Sequence, residues 1–172
     1  KKVWASLWKF EAYEARVRNY VSQTDVYMSA LIQVGVDMEK GGVMITKDPF
    51  DDRNINSVYI SAVCGHNSKV VDNAGIPEQI LFNPRSNSVI VMTLSQQENA
   101  LAFDENGDLK VTADKCAGAK KRVLTDIQAR SLAKAAIQIK VAFGNKRQQD
   151  IEWGILNNKI YVVQSRPYID KK

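Results

Sequence analysis

The sequence is poor in histidine and cysteine, and this scarcity argues against several classes of active site. Only His66, Cys64 and Cys116 represent these residue types among 172 residues. A single histidine excludes zinc sites built from several histidines and argues against a Ser-His-Asp catalytic site. Two cysteines do not make a disulfide framework, so we expect two reduced thiols in a cytoplasmic protein.

Long apolar runs and clusters of basic residues are also missing. No stretch approaches the roughly 20 apolar residues that a membrane-spanning helix needs, and the first residues soon give way to charge, unlike a signal peptide. The net charge is +5, but only Lys120–Arg122 forms a basic run. The lack of a long apolar run leads us to expect no membrane partner. Because basic residues do not cluster with aromatic ones, we also expect no nucleic-acid binding. An anionic small ligand fits this charge as well.

Length and composition predict one domain, or two small lobes, with a real core. Apolar residues at helical spacing predict a helix over 3–18, with Trp4 and Trp8 packed into the core. No capping residue precedes this helix, so we expect the sequence to be a piece of a longer chain. The nearly continuous apolar run 27–34 predicts a buried strand.

Further strands are predicted where β-branched and apolar residues run between turn signals. They cover 43–46, 57–63, 77–82 and 88–94. The polar stretch 95–122 reads as an excursion from the domain, with a hairpin turn at Asn106-Gly107.

A second helix follows this excursion. Thr125 and Gln128 form a capping box at its start, and Gly144 terminates it. Its apolar positions at helical spacing are Ile127, Leu132, Ala135, Ala136, Ile139 and Phe143.

The last part of the sequence, from Gln149 to Pro167, predicts a hairpin of two strands because apolar and polar residues alternate. A two-residue turn at Asn157-Asn158 would place Glu152 and Gln164 on opposite faces. A three-residue loop over 156–158, with Asn158 left-handed beside a bulge, shifts the register by one. We expect the second register because it separates polar Asp150, Glu152, Gln164 and Arg166 from apolar Ile151, Trp153, Ile155, Tyr161 and Val163.

The polar face of this hairpin would carry a carboxylate, an amide and a guanidinium side by side. Carboxylate and amide oxygens favour Mg²⁺, and arginine binds phosphate oxygens with two donors. The set therefore suits a metal-bound polyphosphate. The alternative is an ordinary surface hairpin with one ion pair.

The segment Cys64-Gly65-His66-Asn67-Ser68 lies between strand signals. A cysteine and a histidine two residues apart suggest a metal site or a nucleophile, but both need further partners at suitable spacing, and none is near. We therefore interpret this segment as a glycine turn with small polar neighbours.

Five stretches, in family order, resemble the nucleotide-binding domain of phosphoenolpyruvate synthase and pyruvate phosphate dikinase. They are Ala5–Trp8, Met28–Gln33, Gly42–Pro49, Leu124–Asp126, and the closing pair Gln149–Trp153 and Gln164–Pro167. The closing pair matches the family motif nearly letter for letter, and the resemblance spans almost the whole chain. It implies an α+β fold: residues 1–172 would be the carboxy-terminal lobe of an ATP-grasp domain, a mostly antiparallel sheet flanked by helices.

The resemblance also implies roles for individual residues. Glu152 and Gln164 would hold Mg²⁺ against the phosphates of ATP, and Arg166 would contact those phosphates as a catalytic residue. Gln33 and the backbone around Val34 and Val36 would border the adenine. In such enzymes ATP phosphorylates a histidine on a separate domain, which then passes the group to pyruvate.

The implied partners are an amino-terminal lobe, a phosphohistidine domain and a pyruvate-binding domain of the same longer chain. We expect the 172 residues alone to be inactive, because they would form only half of the nucleotide cleft. The family usually has Gly-Leu-Gly-Glu where this chain has Gly65-His66-Asn67-Ser68. The loss of the acidic residue at Ser68 favours an alternative hypothesis, a catalytically degenerate binding or regulatory module.

Overall fold

The computed structural model describes residues 1–68, 75–112 and 118–170. The chain divides into two compact units, 1–35 and 36–172, and each is described by itself. The prediction of a single domain cut from a longer chain stays a prediction.

The first unit begins with short helices rather than one long helix. They are α1 (Lys2–Ala5), a 3-10 helix (Ser6–Trp8) and α2 (Phe10–Arg18), and extended backbone at Lys9 separates the last two. Buried Arg16 joins them, since its Nη1 donates to the carbonyl oxygen of Leu7 at 2.9 Å. Trp4 and Trp8 are exposed, so the prediction that they pack into a core is wrong.

The predicted strand 27–34 is also wrong. This fully described segment has neither helix nor strand, and Leu31, Ile32 and Val34 are almost completely exposed. A buried strand needs neighbours that satisfy its backbone and cover its side chains. An apolar run in the sequence does not supply those neighbours.

The second unit is built on a six-stranded antiparallel sheet. Its strands are β1 (Lys40–Ile45), β2 (Val58–Cys64), β3 (Glu78–Asn83), β4 (Ser88–Thr93), β9 (Gln149–Leu156) and β10 (Lys159–Pro167). They lie in the order β10-β9-β1-β2-β3-β4. These agree with the four predicted strands and the closing hairpin. The mostly antiparallel α+β class is therefore confirmed.

The predicted excursion after β4 forms two small sheets. Strand β5 (Ser95–Gln97) pairs with β8 (Gly118–Lys121), and β6 (Ala100–Phe103) pairs with β7 (Leu109–Thr112). The β6–β7 hairpin turns at Asn106-Gly107 as predicted, and Gly107 has a φ of +81°. Only glycine adopts such a conformation without steric cost.

Helix α3 (Asp126–Ala142) covers one face of the large sheet. The predicted capping box is present, because the Gln128 amide donates to Thr125 Oγ1 and the Thr125 amide donates to Gln128 Oε1. The helix ends before Gly144, which has a φ of +79°. Its buried residues are Ala129, Leu132, Ala133 and Ala136.

Two of the apolar residues at helical spacing in this segment lie outside the core. Ile127 and Phe143, at its two ends, are exposed. The helix approaches the sheet through a stripe of alanines, and small side chains permit close contact over its middle turns only. Apolar spacing identified the helix, but the apolar stripe read from the sequence extends beyond the residues that are buried.

The core lies between α3 and one face of the sheet. It contains large side chains from β1, β2, β3 and β9, among them Met44, Ile60, Ile80, Ile151 and Trp153. Side chains alternate between the faces of a strand, so Val43, Ser61, Gln79 and Glu152 belong to the opposite face. We call that side the polar face of the sheet.

Cys64, the last residue of β2, is completely buried and disulfide-bonded. The expectation of a reduced thiol is therefore wrong for this residue, because a cysteine count does not show which residues the fold brings together. Cys116 lies outside the described residues.

In the described part of the chain, no helix has the length and apolar character needed to cross a membrane.

Candidate functional site

The turn of the closing hairpin differs from the predicted one. Leu156 pairs with Lys159, so the loop holds only Asn157 and Asn158. Their φ values are +50° and +59°. Two consecutive left-handed residues are typical of a type I′ turn, which matches the twist of the strands it joins. The prediction of a three-residue loop is therefore wrong.

A bulge farther along β10 corrects the alignment that this turn sets. Val162 pairs with Trp153, whereas Gln164 pairs with Glu152, and the register shifts between these two pairs. Val163 is thus an extra residue in the ladder. One extra residue moves every following side chain to the other face. Glu152 and Gln164 consequently share the polar face, as predicted.

The same bulge overturns two smaller predictions. Tyr161 lies before the bulge and pairs with Gly154, which places it on the polar face with Glu152 and not with the apolar residues. Val163 is the bulged residue and has no partner of its own in the register of the hairpin. Both errors follow from placing the irregularity in the turn.

The polar face presents a row of paired positions across the sheet. The register runs through Gln164, Glu152, Val43, Ser61 and Gln79, on strands β10, β9, β1, β2 and β3. A cavity of about 350 Å³ lies on this face, lined by Val43, Ile45, Tyr59, Ser61, Gly75, Pro77, Gln79 and Asp150. Glu152 and Gln164 therefore lie in the same row as Val43, Ser61 and Gln79, which line the cavity.

Asp150 and Arg166 form a second polar pair beside the first. Arg166 Nε donates to Asp150 Oδ2 at 2.9 Å, and Nη2 lies 2.8 Å from the same oxygen. The Arg166 side chain is 63% exposed, and a guanidinium has five N–H donors. The pair matches the surface ion pair of the alternative interpretation. It also leaves donors of Arg166 available to an anionic ligand.

Glu152 has a partner that the sequence did not indicate. The side-chain amide of Asn67, in the segment after β2, donates to Glu152 Oε2 at 2.9 Å. Asn67 is only 3% exposed. Sequence reasoning missed it because the contact joins residues far apart in the chain. The available signal was the departure at this segment, where Asn67 stands at a glycine position of the resembling family.

The donor set on the polar face fits Mg²⁺. Glu152 offers a carboxylate and Gln164 an amide oxygen from directly opposite positions, and such hard oxygen ligands suit this ion. Among the described residues, no group of three or more His, Cys, Asp or Glu side chains could enclose a metal. A site with one carboxylate is typical of Mg²⁺ that is also bound by phosphate oxygens.

The other predicted ligand contacts divide between the units. Gln33 and Val34 belong to the first unit and are exposed, whereas half-buried Val36 begins the second unit. Their role at an adenine stays a prediction.

His66 is expected to make stability depend on pH. Burial lowers the pKa of its imidazole below the ordinary value of 6.5, although the nearby charges of Glu152 and Asp37 raise it. The unfolded chain therefore takes up the proton first, so this contribution is complete above pH 6.5 and is lost as the pH falls through the folded pKa.

The free energy of unfolding, measured without metal or nucleotide between about pH 8 and about pH 5, is expected to fall more for the natural chain than for His66→Asn. The carboxylates are the same in both proteins, so their contribution cancels in the difference. Equal slopes would show that the imidazole carries no such linkage.

The chain is similar to a known protein family and to several curated proteins. A family model described as "Pyruvate phosphate dikinase, AMP/ATP-binding domain" matches residues 1–172. The chain is 33% identical to a probable phosphoenolpyruvate synthase of Pyrococcus horikoshii, over 97% of this chain and 21% of that protein. It is 32% identical to the phosphoenolpyruvate synthase of Pyrococcus furiosus over the same shares.

A relative of another named activity also matches. The rifampicin phosphotransferase of Bacillus subtilis is 30% identical over 96% of this chain and 19% of its own length. The chain spans between 14% and 24% of the length of these and similar curated relatives.

Proposed function

Because this chain belongs to the family of the pyruvate phosphate dikinase AMP/ATP-binding domain, we propose that it binds ATP with Mg²⁺ on the polar face of its sheet. It would do so as the carboxy-terminal portion of an ATP-grasp nucleotide domain in a longer, phosphoenolpyruvate synthase-like phosphotransferase. The observation that carries the proposal is the direct pairing of Glu152 with Gln164 across β9 and β10, with Arg166 two residues farther along.

In this proposal each of the three side chains has its own task. Glu152 and Gln164 hold the metal ion by oxygen atoms, and Arg166 contacts phosphate oxygens with the donors that Asp150 does not occupy. When bound, Mg²⁺ neutralises charge on the phosphates. Phosphoryl transfer depends chiefly on positioning and on this neutralisation, and needs little covalent help from the nucleotide domain.

The acceptor of the phosphoryl group lies beyond the nucleotide site. We propose that ATP phosphorylates a histidine on another domain of the same longer chain, which passes the group to pyruvate. The names of the synthase relatives support pyruvate, and the rifampicin phosphotransferase shows that one relative acts on a different acceptor. An amino-terminal lobe and a pyruvate-binding domain complete the proposed protein, and we place it in the cytoplasm with its metabolic relatives.

A second candidate function is a binding or regulatory module without phosphotransfer. The observation in its favour is Ser68, which stands where the family has an acidic residue. Its Oγ lies 2.9 Å from His66 Nδ1, so the hydroxyl is engaged within its own loop.

Calorimetric titration of the full-length protein with ATP, with and without Mg²⁺, tests the proposal. Binding is expected to require Mg²⁺ and to weaken about tenfold in Arg166→Lys, because lysine cannot reproduce the two-donor contact with phosphate. The matched control is Arg85→Lys, at an exposed position in the β3–β4 turn. ATP binding that is indifferent to Mg²⁺ and to Arg166→Lys would favour the regulatory module.

A further inference from the structure

The loop that follows β2, residues 65–68, is fixed at its start by two other parts of the second unit. The Gly65 amide donates to the carbonyl oxygen of Glu39 at 2.8 Å, and the His66 amide donates to that of Leu101 at 2.8 Å. Gly65 has a φ of +78°, and a Cβ added there would lie 2.5 Å from the Leu101 oxygen. These contacts fix the direction in which the loop leaves the end of β2.

The loop then passes directly over the polar face of the sheet. Gly41 of β1 lies on that face, two residues from Val43, and a Cβ added to Gly41 would be 2.7 Å from the backbone nitrogen of Asn67. Only glycine leaves room for so close an approach. Gly41 pairs with Gly154 of β9, which lies two residues from Glu152 on the same face. The backbone of Asn67 is thereby held next to Glu152.

The Asn67 side chain uses this position to bind one oxygen of the carboxylate. Its Nδ2 donates to Glu152 Oε2 at 2.9 Å, a charge-assisted bond that is stronger than one between neutral groups. Among the described residues, no other group donates a hydrogen bond to the carboxylate of Glu152. Glu152 Oε1 remains without a donor in this part of the chain.

From this geometry we propose that Asn67 is a positioning residue for Glu152, which fixes the carboxylate so that Oε1 is presented to the cation beside Gln164. The proposal rests on the proposed function of Glu152 as a metal ligand. Groups that hold a ligating carboxylate by hydrogen bonds fix its orientation, and their loss typically weakens metal binding. Asn67 acts through Glu152 and does not itself touch the metal or the nucleotide.

The test measures metal affinity and not activity. In the full-length protein with ATP bound, Mn²⁺ is titrated as a probe for Mg²⁺, and free Mn²⁺ is followed by electron paramagnetic resonance. Asn67→Ala is expected to raise the Kd for Mn²⁺ about 10-fold to 100-fold, with ATP affinity in the absence of metal unchanged. Asn67→Gln retains an amide donor and is expected to recover part of the loss.

Ser68→Ala serves as the matched control in the same loop. It removes the hydroxyl that contacts His66 but leaves the Asn67 donor, so its Kd for Mn²⁺ is expected to stay within about twofold of the natural value. A comparable loss in Ser68→Ala and Asn67→Ala would assign the effect to the loop as a whole and overturn the proposal. If Asn67→Ala does not fold, Asn67→Leu, which has a similar size and no donor, takes its place, and an unchanged Kd for Mn²⁺ in that variant overturns the proposal.

A wrong metal site and a wrong positioning role give different experimental results. If Glu152→Gln leaves Mn²⁺ affinity unchanged, the proposed metal site itself is wrong, and the role of Asn67 is wrong with it. If Glu152→Gln removes Mn²⁺ binding while Asn67→Ala binds Mn²⁺ normally, the metal site stands and only the positioning role is overturned.

Discussion

Replacing Glu152 by glutamine in the full-length protein is expected to weaken Mg²⁺-dependent ATP binding by about a hundredfold or more. The substitution keeps the shape of the side chain and an oxygen that can accept the bond from Asn67. It removes the only negative charge of the proposed metal pair. The effect therefore reports the charge and not a disturbed hairpin.

The magnitude follows from simple electrostatics. Two unit charges about 4 Å apart interact with about 4 kcal/mol at the effective dielectric of a protein surface. Mg²⁺ carries two charges, which increases this attraction, whereas solvent screening at half-buried Glu152 decreases it, so we use about 3 kcal/mol. Each 1.4 kcal/mol or so corresponds to a tenfold change in affinity, which gives about a hundredfold.

Calorimetry with ATP at saturating and at zero Mg²⁺ measures this effect. The matched control is Glu105→Gln, the same chemical change at an exposed position of the β6–β7 turn, for which binding should not change. If Glu152→Gln binds as tightly as the natural protein, the carboxylate has no part in the site. The regulatory module would then be the better explanation of the fold.

Replacing Glu78 by alanine is expected to lower the free energy of unfolding by about 3 to 5 kcal/mol, because two buried amides lose their acceptor. Glu78 is completely buried at the start of β3. Its Oε2 accepts hydrogen bonds from the amides of Val123 and Leu124 at 2.9 and 2.8 Å, and its Oε1 accepts one from Arg122 Nε. Alanine would leave the buried amides of Val123 and Leu124 without partners, and an unsatisfied buried group costs its full desolvation energy.

This carboxylate also connects the sheet to the segment that leads into α3. Urea-induced unfolding followed by circular dichroism measures the loss. Glu78→Gln keeps one acceptor oxygen and is expected to cost less than alanine, whereas Glu98→Ala, at an exposed position, should cost almost nothing. A loss below about 1 kcal/mol for Glu78→Ala would show that water replaces the carboxylate at the three donors.

The sequence was informative wherever local patterns determine local structure. Alternation of apolar and polar residues located the strands of the large sheet, and the Thr125–Gln128 capping box located the start of α3. These features depend on neighbours in the chain, which can be read directly. The positions of Glu152 and Gln164 on one face were predicted for the same reason.

The wrong predictions concern features that depend on residues far away in the sequence. Trp4, Trp8 and the run 27–34 have the apolar character of core elements, yet burial depends on what packs against them, and a pattern does not contain that information. Asn67 was missed because it lies far from Glu152 in the sequence, and only the fold brings the two side chains together. Its importance comes from Gly41, which lets the loop approach the sheet.

The bulge at Val163 has a consequence for how this hairpin can change in evolution. Substitutions along β10 alter one side chain at a time, but a deletion between the Asn157-Asn158 turn and Gln164 would reverse the facing of every residue after it. Gln164 and Arg166 would then point toward the helix-covered side. Selection on these two side chains therefore also acts on the number of residues between the turn and Gln164. The strand should tolerate substitutions far better than insertions or deletions.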